Sequence, residues 1–115
     1  MTSRTERLDR VFRALADPTR RAVIERLSRS PASVGELARP FDMTLPSFSQ
    51  HLDLLEDCGL VRSTKSGRVR TYRIARQPLA VATRWLDDQR ALWDRRLDRL
   101  DAVLMERVPN DDDRG

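Results

Sequence analysis

Two neighbouring groups of side chains in the middle of this chain have the chemistry to contact a nucleic acid. The first group lies between residues 44 and 51 and is mostly hydroxyl, amide and imidazole. Such side chains donate to and accept from base edges and phosphates, and an apolar neighbour can contact a thymine methyl group. The predicted contacts are Thr44, Leu45, Ser47, Ser49, Gln50 and His51.

The second group is a run of cations with no acidic residue among them. It consists of Arg62, Lys65, Arg68, Arg70, Arg73 and Arg76. Charge on an edge hairpin also protects against aggregation, so protection of the hairpin edge is an alternative explanation for these cations. A run of a single sign nevertheless favours contact with phosphates, and alternation along the strands predicts that Arg62 and Arg70 point away from the core.

The first group is positioned by an amphipathic helix. Phe48, Leu52 and Leu55 recur at helical spacing, and burying them turns the early polar side chains outward. Thr44 is a suitable N-cap and Gly59 a natural stop. His51 lies near the edge of the outer face. It could donate to a phosphate or form a structural hydrogen bond, and the sequence leaves both roles open.

Three shorter helices are predicted before this one. The first spans about 5–16, and the second begins at Pro18 with Asp17 as its cap. Ser33 and Glu36 match a capping box, which predicts a third helix over about 34–39. The third and fourth helices are joined by a short turn, and the fourth has a polar leading edge. This arrangement places side chains in a major groove.

The cations are positioned by a predicted β-hairpin. Its strands are residues 60–64 and 69–74, with residues 65–68 as the turn, and Gln77-Pro78 ends it. The predicted fold is therefore mostly α with a small hairpin, a winged helix-turn-helix followed by a long C-terminal dimerisation helix. The hairpin contacts phosphates beside the groove-reading helix, so double-stranded DNA is the predicted partner.

The last predicted helix spans 79–108 and carries a nearly continuous apolar stripe. Because the winged domain is complete before this helix, the stripe predicts pairing with a second copy of the chain. An intramolecular cap over the domain is the alternative. The Asp and Arg residues of this last helix alternate, which predicts a salt-bridged face. The predicted interface residues are Leu8, Val11, Phe12, Trp85, Leu92, Trp93, Leu97 and Leu100.

Composition limits the remaining classes. The chain has 115 residues, which suits one domain over 1–108 followed by a disordered acidic tail at 109–115. The formal charge of +4 favours a polyanionic partner. Neither a signal peptide nor a membrane span is predicted, so the expected location is the cytoplasm. Cys58 is the only cysteine. It is either a buried thiol or a redox switch, and its acidic neighbours disfavour the thiolate.

Several segments together resemble the ArsR/SmtB family of bacterial winged-helix regulators. They are residues 14–21 (ALADPTRR), residues 49–55 (SQHLDLL) and residues 59–61 (GLV). The resemblance covers about Leu8 to Ile74 and implies a homodimer joined by its first and last helices. It further implies a repressor that binds an inverted-repeat operator, commonly that of its own gene.

The chain departs from the metal-sensing members of that family. Ala38 and Pro40 stand where a Cys-x-Cys pair is expected, and the last helix has no histidine. We therefore predict a non-metal subgroup with no metal and no cofactor. The sequence allows a small apolar effector without identifying one. A protein–protein interaction module and a DNA binder of low specificity are the alternatives, and no catalytic residues are predicted.

Overall fold

The computed structural model describes residues 3–107 of the chain. The predicted mostly helical winged helix-turn-helix is confirmed. The chain divides into two compact units, with the boundary in the sequence between Ala82 and Thr83. The elements are α1 (Arg4–Leu15), α2 (Pro18–Leu27), β1 (Ala32–Ser33), α3 (Val34–Ala38), α4 (Leu45–Asp57), β2 (Val61–Ser66), β3 (Val69–Ile74) and α5 (Arg76–Arg107).

The helix starts follow from short polar side chains that accept from exposed backbone N–H groups. The Asp17 carboxylate accepts from the Arg20 N–H at 2.9 Å, and Thr44 caps α4 by accepting from the Ser47 N–H at 3.3 Å. Ser33 and Glu36 form both bonds of a capping box, at 3.2 and 3.1 Å. The sequence-based caps are thus confirmed.

The sheet has three strands instead of the predicted two. β1 pairs antiparallel with β3, which makes β3 the central strand in the order β1-β3-β2. The sequence did not reveal β1 because a strand of two residues has no periodicity. The hairpin turn is also tighter than predicted, since β2 extends to Ser66 and leaves Gly67 and Arg68 as the turn. Gly67 has φ +62°, which a glycine adopts without strain.

The core of the first unit is built around the inward side of α4. Phe48, Leu52 and Leu55 are at most 1 % exposed, as their spacing predicted. Val11 is also only 1 % exposed, so its predicted place in a dimer interface is wrong. α1 has a single apolar side, and Val11 occupies its centre. Leu8 and Phe12 flank Val11 and are only partly buried.

α5 is a helix of 32 residues that begins three residues before the predicted start, because Pro78 is tolerated in a first turn. In the second unit, described side chains other than Gln89 are exposed through residue 106. No ion pair forms on α5 among the described residues, so the predicted salt-bridged face is wrong. The predicted tail at 109–115 lies outside the described residues.

Candidate nucleic-acid interface

The outer side of α4 presents the predicted polar group at its N-terminal end. Thr44, Ser47 and Gln50 are exposed, whereas Ser49 is half-buried. Leu45 is 56 % exposed, which is high for a leucine and leaves its side chain available for an apolar contact. The helix is held from below by Phe48, whose ring centroid lies 5.3 Å from that of Phe41.

Two hydroxyls at this end of α4 hold each other in place. Thr44 Oγ1 donates to Ser47 Oγ at 2.9 Å while it accepts from the Ser47 N–H. The Ser47 hydroxyl therefore keeps its own O–H to donate to a base or phosphate. Because the first backbone N–H groups of a helix carry partial positive charge, this end of α4 favours contact with anions.

His51 takes part in a junction between three helices. One terminal nitrogen of Arg20 lies 3.1 Å from His51 Nδ1, and the Asp17 carboxylate lies 3.7 Å from the same atom. Arg20 also donates to the carbonyls of Ala14 and Arg13 at the end of α1, at 2.8 and 3.2 Å. The structure thus gives His51 the structural role that the sequence left open beside phosphate contact.

Sequence reasoning missed Arg20 as a partner of α4, because the two residues are 31 positions apart. The Arg20 backbone N–H is the largest cause that lowers the pKa of Asp17, and the charges of Arg20 and His51 act in the same direction. Burial opposes this shift. Asp17 is thus held as a carboxylate beside the junction.

The cations of the wing (residues 61–74) lie on two faces, as the strand register shows. Lys65 is opposite Arg70, on the same side as the buried Tyr72, whereas Arg62 is opposite Arg73 on the other side. The prediction that Arg70 points away from the core side is therefore wrong. Val69 is apolar but 53 % exposed, so the side of β3 on which Val69 lies is not the side that faces the core. Arg62 does point away, as predicted.

The wing is tied to the end of α4 by a short polar chain. Ser63 donates to the Glu56 carboxylate at 2.7 Å, and Arg70 donates to the Ser63 hydroxyl at 2.9 Å. Arg70 is thus held on the face that adjoins α4. Arg68 lies in the turn at the wing tip. The structure brings Lys65, Arg68 and Arg70 together on this part of the wing.

The thiol of Cys58 is not activated by its surroundings. It is half-buried at the end of α4 and donates to the Leu55 carbonyl at 3.3 Å. Burial raises its pKa above the usual value, and the nearby Asp57 carboxylate adds to this effect. The thiolate is therefore scarce near neutral pH, and a buried structural thiol fits these surroundings better than a redox switch does.

Two other features are absent from the described part of the chain. Within residues 3–107, no group of three or more His, Cys, Asp or Glu side chains is arranged to hold a metal ion. None of the described helices is both long and apolar enough to cross a bilayer. The polar end of α4 and the cationic wing remain the chemically distinctive surfaces.

Comparison with known proteins supports this interpretation. Residues 15–64 match the family described as a helix-turn-helix domain. The HTH-type transcriptional regulator Rv2034 of Mycobacterium tuberculosis is 44% identical over 79 residues, which cover 69% of this chain and 74% of that protein. The crystal structure of the ArsR family transcriptional regulator RHA00566 is 54% identical. Its TM-score is 0.76, and the alignment covers 82% of this chain and 97% of that one.

A solution structure from Mycobacterium bovis is also similar. It is the homodimeric winged helix-turn-helix DNA-binding domain of Mb0332, a possible ArsR-family regulator, with 26% identity and a TM-score of 0.60. The alignment covers 83% of this chain and 85% of that one. With the geometry of α4 and the wing, these matches show that the chain belongs to the ArsR/SmtB family of winged helix-turn-helix transcriptional regulators.

Proposed function

We propose that the protein is a homodimeric repressor that binds an inverted-repeat operator, most simply one beside its own gene. The proposal rests on the two hydrogen bonds that connect Glu56 through Ser63 to Arg70. It holds a cationic wing against the helix that presents Ser47 and Gln50. One rigid surface can therefore contact base edges and the adjoining phosphates together.

Within that surface the two groups have different tasks. Ser47, Ser49 and Gln50 contact bases, and Leu45 contacts a thymine methyl group. Thr44 holds the helix end that faces a phosphate. Lys65, Arg68 and Arg70 neutralise phosphates beside the groove, which contributes affinity without reading sequence. Sequence specificity therefore depends on α4, whereas affinity and salt dependence depend mostly on the wing.

The dimer is proposed from the exposed apolar side of α5. Trp93, Leu97 and Leu100 are each more than half exposed, and water-exposed stripes of this size attract a partner. The related Mb0332 domain is homodimeric. A two-fold axis would repeat the α4 surface about one DNA turn away, which matches an inverted repeat. The proposed interface comprises Leu8, Phe12, Trp85, Leu92, Trp93, Leu97 and Leu100.

Repression follows from occupancy. A dimer that covers two successive grooves excludes other proteins from the same DNA and needs no additional activating surface. We place this action in the cytoplasm, where the operator lies. A small apolar effector is not required for this action, because repression follows from occupancy alone.

The test is fluorescence anisotropy with DNA from immediately upstream of the gene and a scrambled duplex of equal length, at two salt concentrations. We expect saturable, preferential binding with two protomers per operator. Equal, salt-sensitive binding to both duplexes would indicate the low-specificity DNA binder. Absence of binding at low salt would refute the proposal and favour the protein–protein module.

A further inference from the structure

Four arginines lie around the base of the wing. Arg62 and Arg73 face each other across β2 and β3, on the side of the sheet opposite Tyr72. Arg76 begins α5, and Arg29 follows the end of α2. This group, the wing-base arginines, is separate from the Lys65, Arg68 and Arg70 group, so the surface that contacts the operator does not account for it.

The wing-base arginines line two adjoining cavities. One cavity of about 370 Å³ is lined by Arg62, Arg73 and Arg76 together with the Gln77 amide. The other, of about 390 Å³, is lined by Arg29, Arg73 and Arg76 together with two serines. Because Arg73 and Arg76 line both cavities, the two cavities adjoin each other. Neither cavity is lined by an acidic residue.

The charges of this surface are not neutralised within the protein. Among residues 3–107, ion pairs involve only Arg26 with Glu36 and His51 with Asp17. Arg73 donates to the Thr64 hydroxyl at 2.9 Å, which fixes its direction without cancelling its charge. Cations that line the same cavity repel one another, and a bound anion would relieve that repulsion.

We propose that the wing-base arginines form a binding pocket for a phosphate-bearing anion. Guanidinium groups donate two parallel hydrogen bonds to phosphate oxygens, and several of them suit a multiply charged group such as a diphosphate. The phosphate belongs either to a free phosphorylated molecule or to the DNA backbone. Only the second source depends on the function proposed above.

The first experiment measures pyrophosphate binding by calorimetry, without DNA and at constant ionic strength. The pocket variant is Arg62→Ala with Arg76→Ala. The matched control is Arg95→Ala with Arg99→Ala, which removes the same charge from exposed positions of α5. We expect a Kd on the order of 0.1–1 mM for the wild-type protein and the control. The pocket variant should bind at least about tenfold more weakly.

The second experiment measures the affinity of the same three proteins for DNA. If pyrophosphate does not bind but the pocket variant loses more DNA affinity than the control, the pocket holds a backbone phosphate. If neither ligand distinguishes the pocket variant from the control, net charge explains any binding and the proposal is wrong. A wild-type protein that binds pyrophosphate but no DNA would refute the proposed repressor and leave the pocket established.

Discussion

Replacing Trp93 with aspartate tests the dimer interface directly. Trp93 lies in the second compact unit and is 59 % exposed, so the core of the winged domain does not depend on it. A tryptophan buries about 150–250 Å² when it is fully covered. The exposed part that a partner could cover is therefore about 90–150 Å².

The magnitude follows from that area. At about 25 cal/mol per Å², covering it contributes about 2–4 kcal/mol per protomer, and a two-fold interface counts it twice. Losing about 4–7 kcal/mol raises the dimer dissociation constant about 1,000- to 100,000-fold. The introduced carboxylate adds a desolvation cost, so the Trp93→Asp variant should be monomeric at micromolar concentration.

Sedimentation velocity measures the outcome over a concentration series, with circular dichroism to check that the helices persist. Ala102→Asp is the matched control, because it adds the same charge two and a half helical turns away, on the opposite side of α5. The control should remain dimeric. A Trp93→Asp variant with the sedimentation coefficient of the control would show that this side of α5 does not form the interface.

Three further predictions concern the wing, a helix cap and the thiol. Lys65→Ala with Arg70→Ala removes about four phosphate contacts per dimer, so the slope of log K against log salt should fall by about 3.6; an unchanged slope in anisotropy titrations at several salt concentrations would refute the wing contact. The pKa of Asp17 is lowered in the folded protein, so its contribution to stability is complete above the unfolded pKa and is lost as pH falls through the folded pKa. Denaturant titrations should therefore show Asp17→Asn to be less stable than the wild type near neutral pH, with the difference shrinking in acid; a difference independent of pH contradicts this origin. Because the pKa of Cys58 is raised, alkylation followed by mass spectrometry should be slow at neutral pH and faster in alkali, and a fast reaction at neutral pH would instead indicate an activated thiol.

Local features of the sequence predicted the helices well. A cap depends on residues within one turn, so Asp17, Ser33 and Thr44 could each be assigned from their immediate neighbours. The inward side of α4 was equally clear, because three large apolar residues repeat at helical spacing. Both signals are contained in a short window of sequence and need no knowledge of the tertiary fold.

Features that depend on distant residues were missed. β1 exists because Ala32 pairs with Tyr72, which no pattern within two residues can indicate. The face of Arg70 was assigned wrongly because β3 carries apolar residues of both parities, and only the structure shows that the parity of Tyr72 and Ile74 is the buried one. The alternating charges of α5 also suggested ion pairs that the described residues do not form.

The junction at Arg20 explains why two separated parts of the family motif occur in one sequence. Asp17 caps α2 through the Arg20 backbone, while the Arg20 side chain binds the end of α1 and reaches His51 on α4. A helix that reads bases must be fixed in both rotation and translation, and hydrophobic contacts of Phe48 and its neighbours fix neither as sharply as directed hydrogen bonds do. We therefore infer that this junction sets the angle of α4, and that the hydrogen bonds through Ser63 set the position of the wing cations relative to α4. Together they make the reading surface rigid before DNA is bound, which lowers the entropic cost of binding.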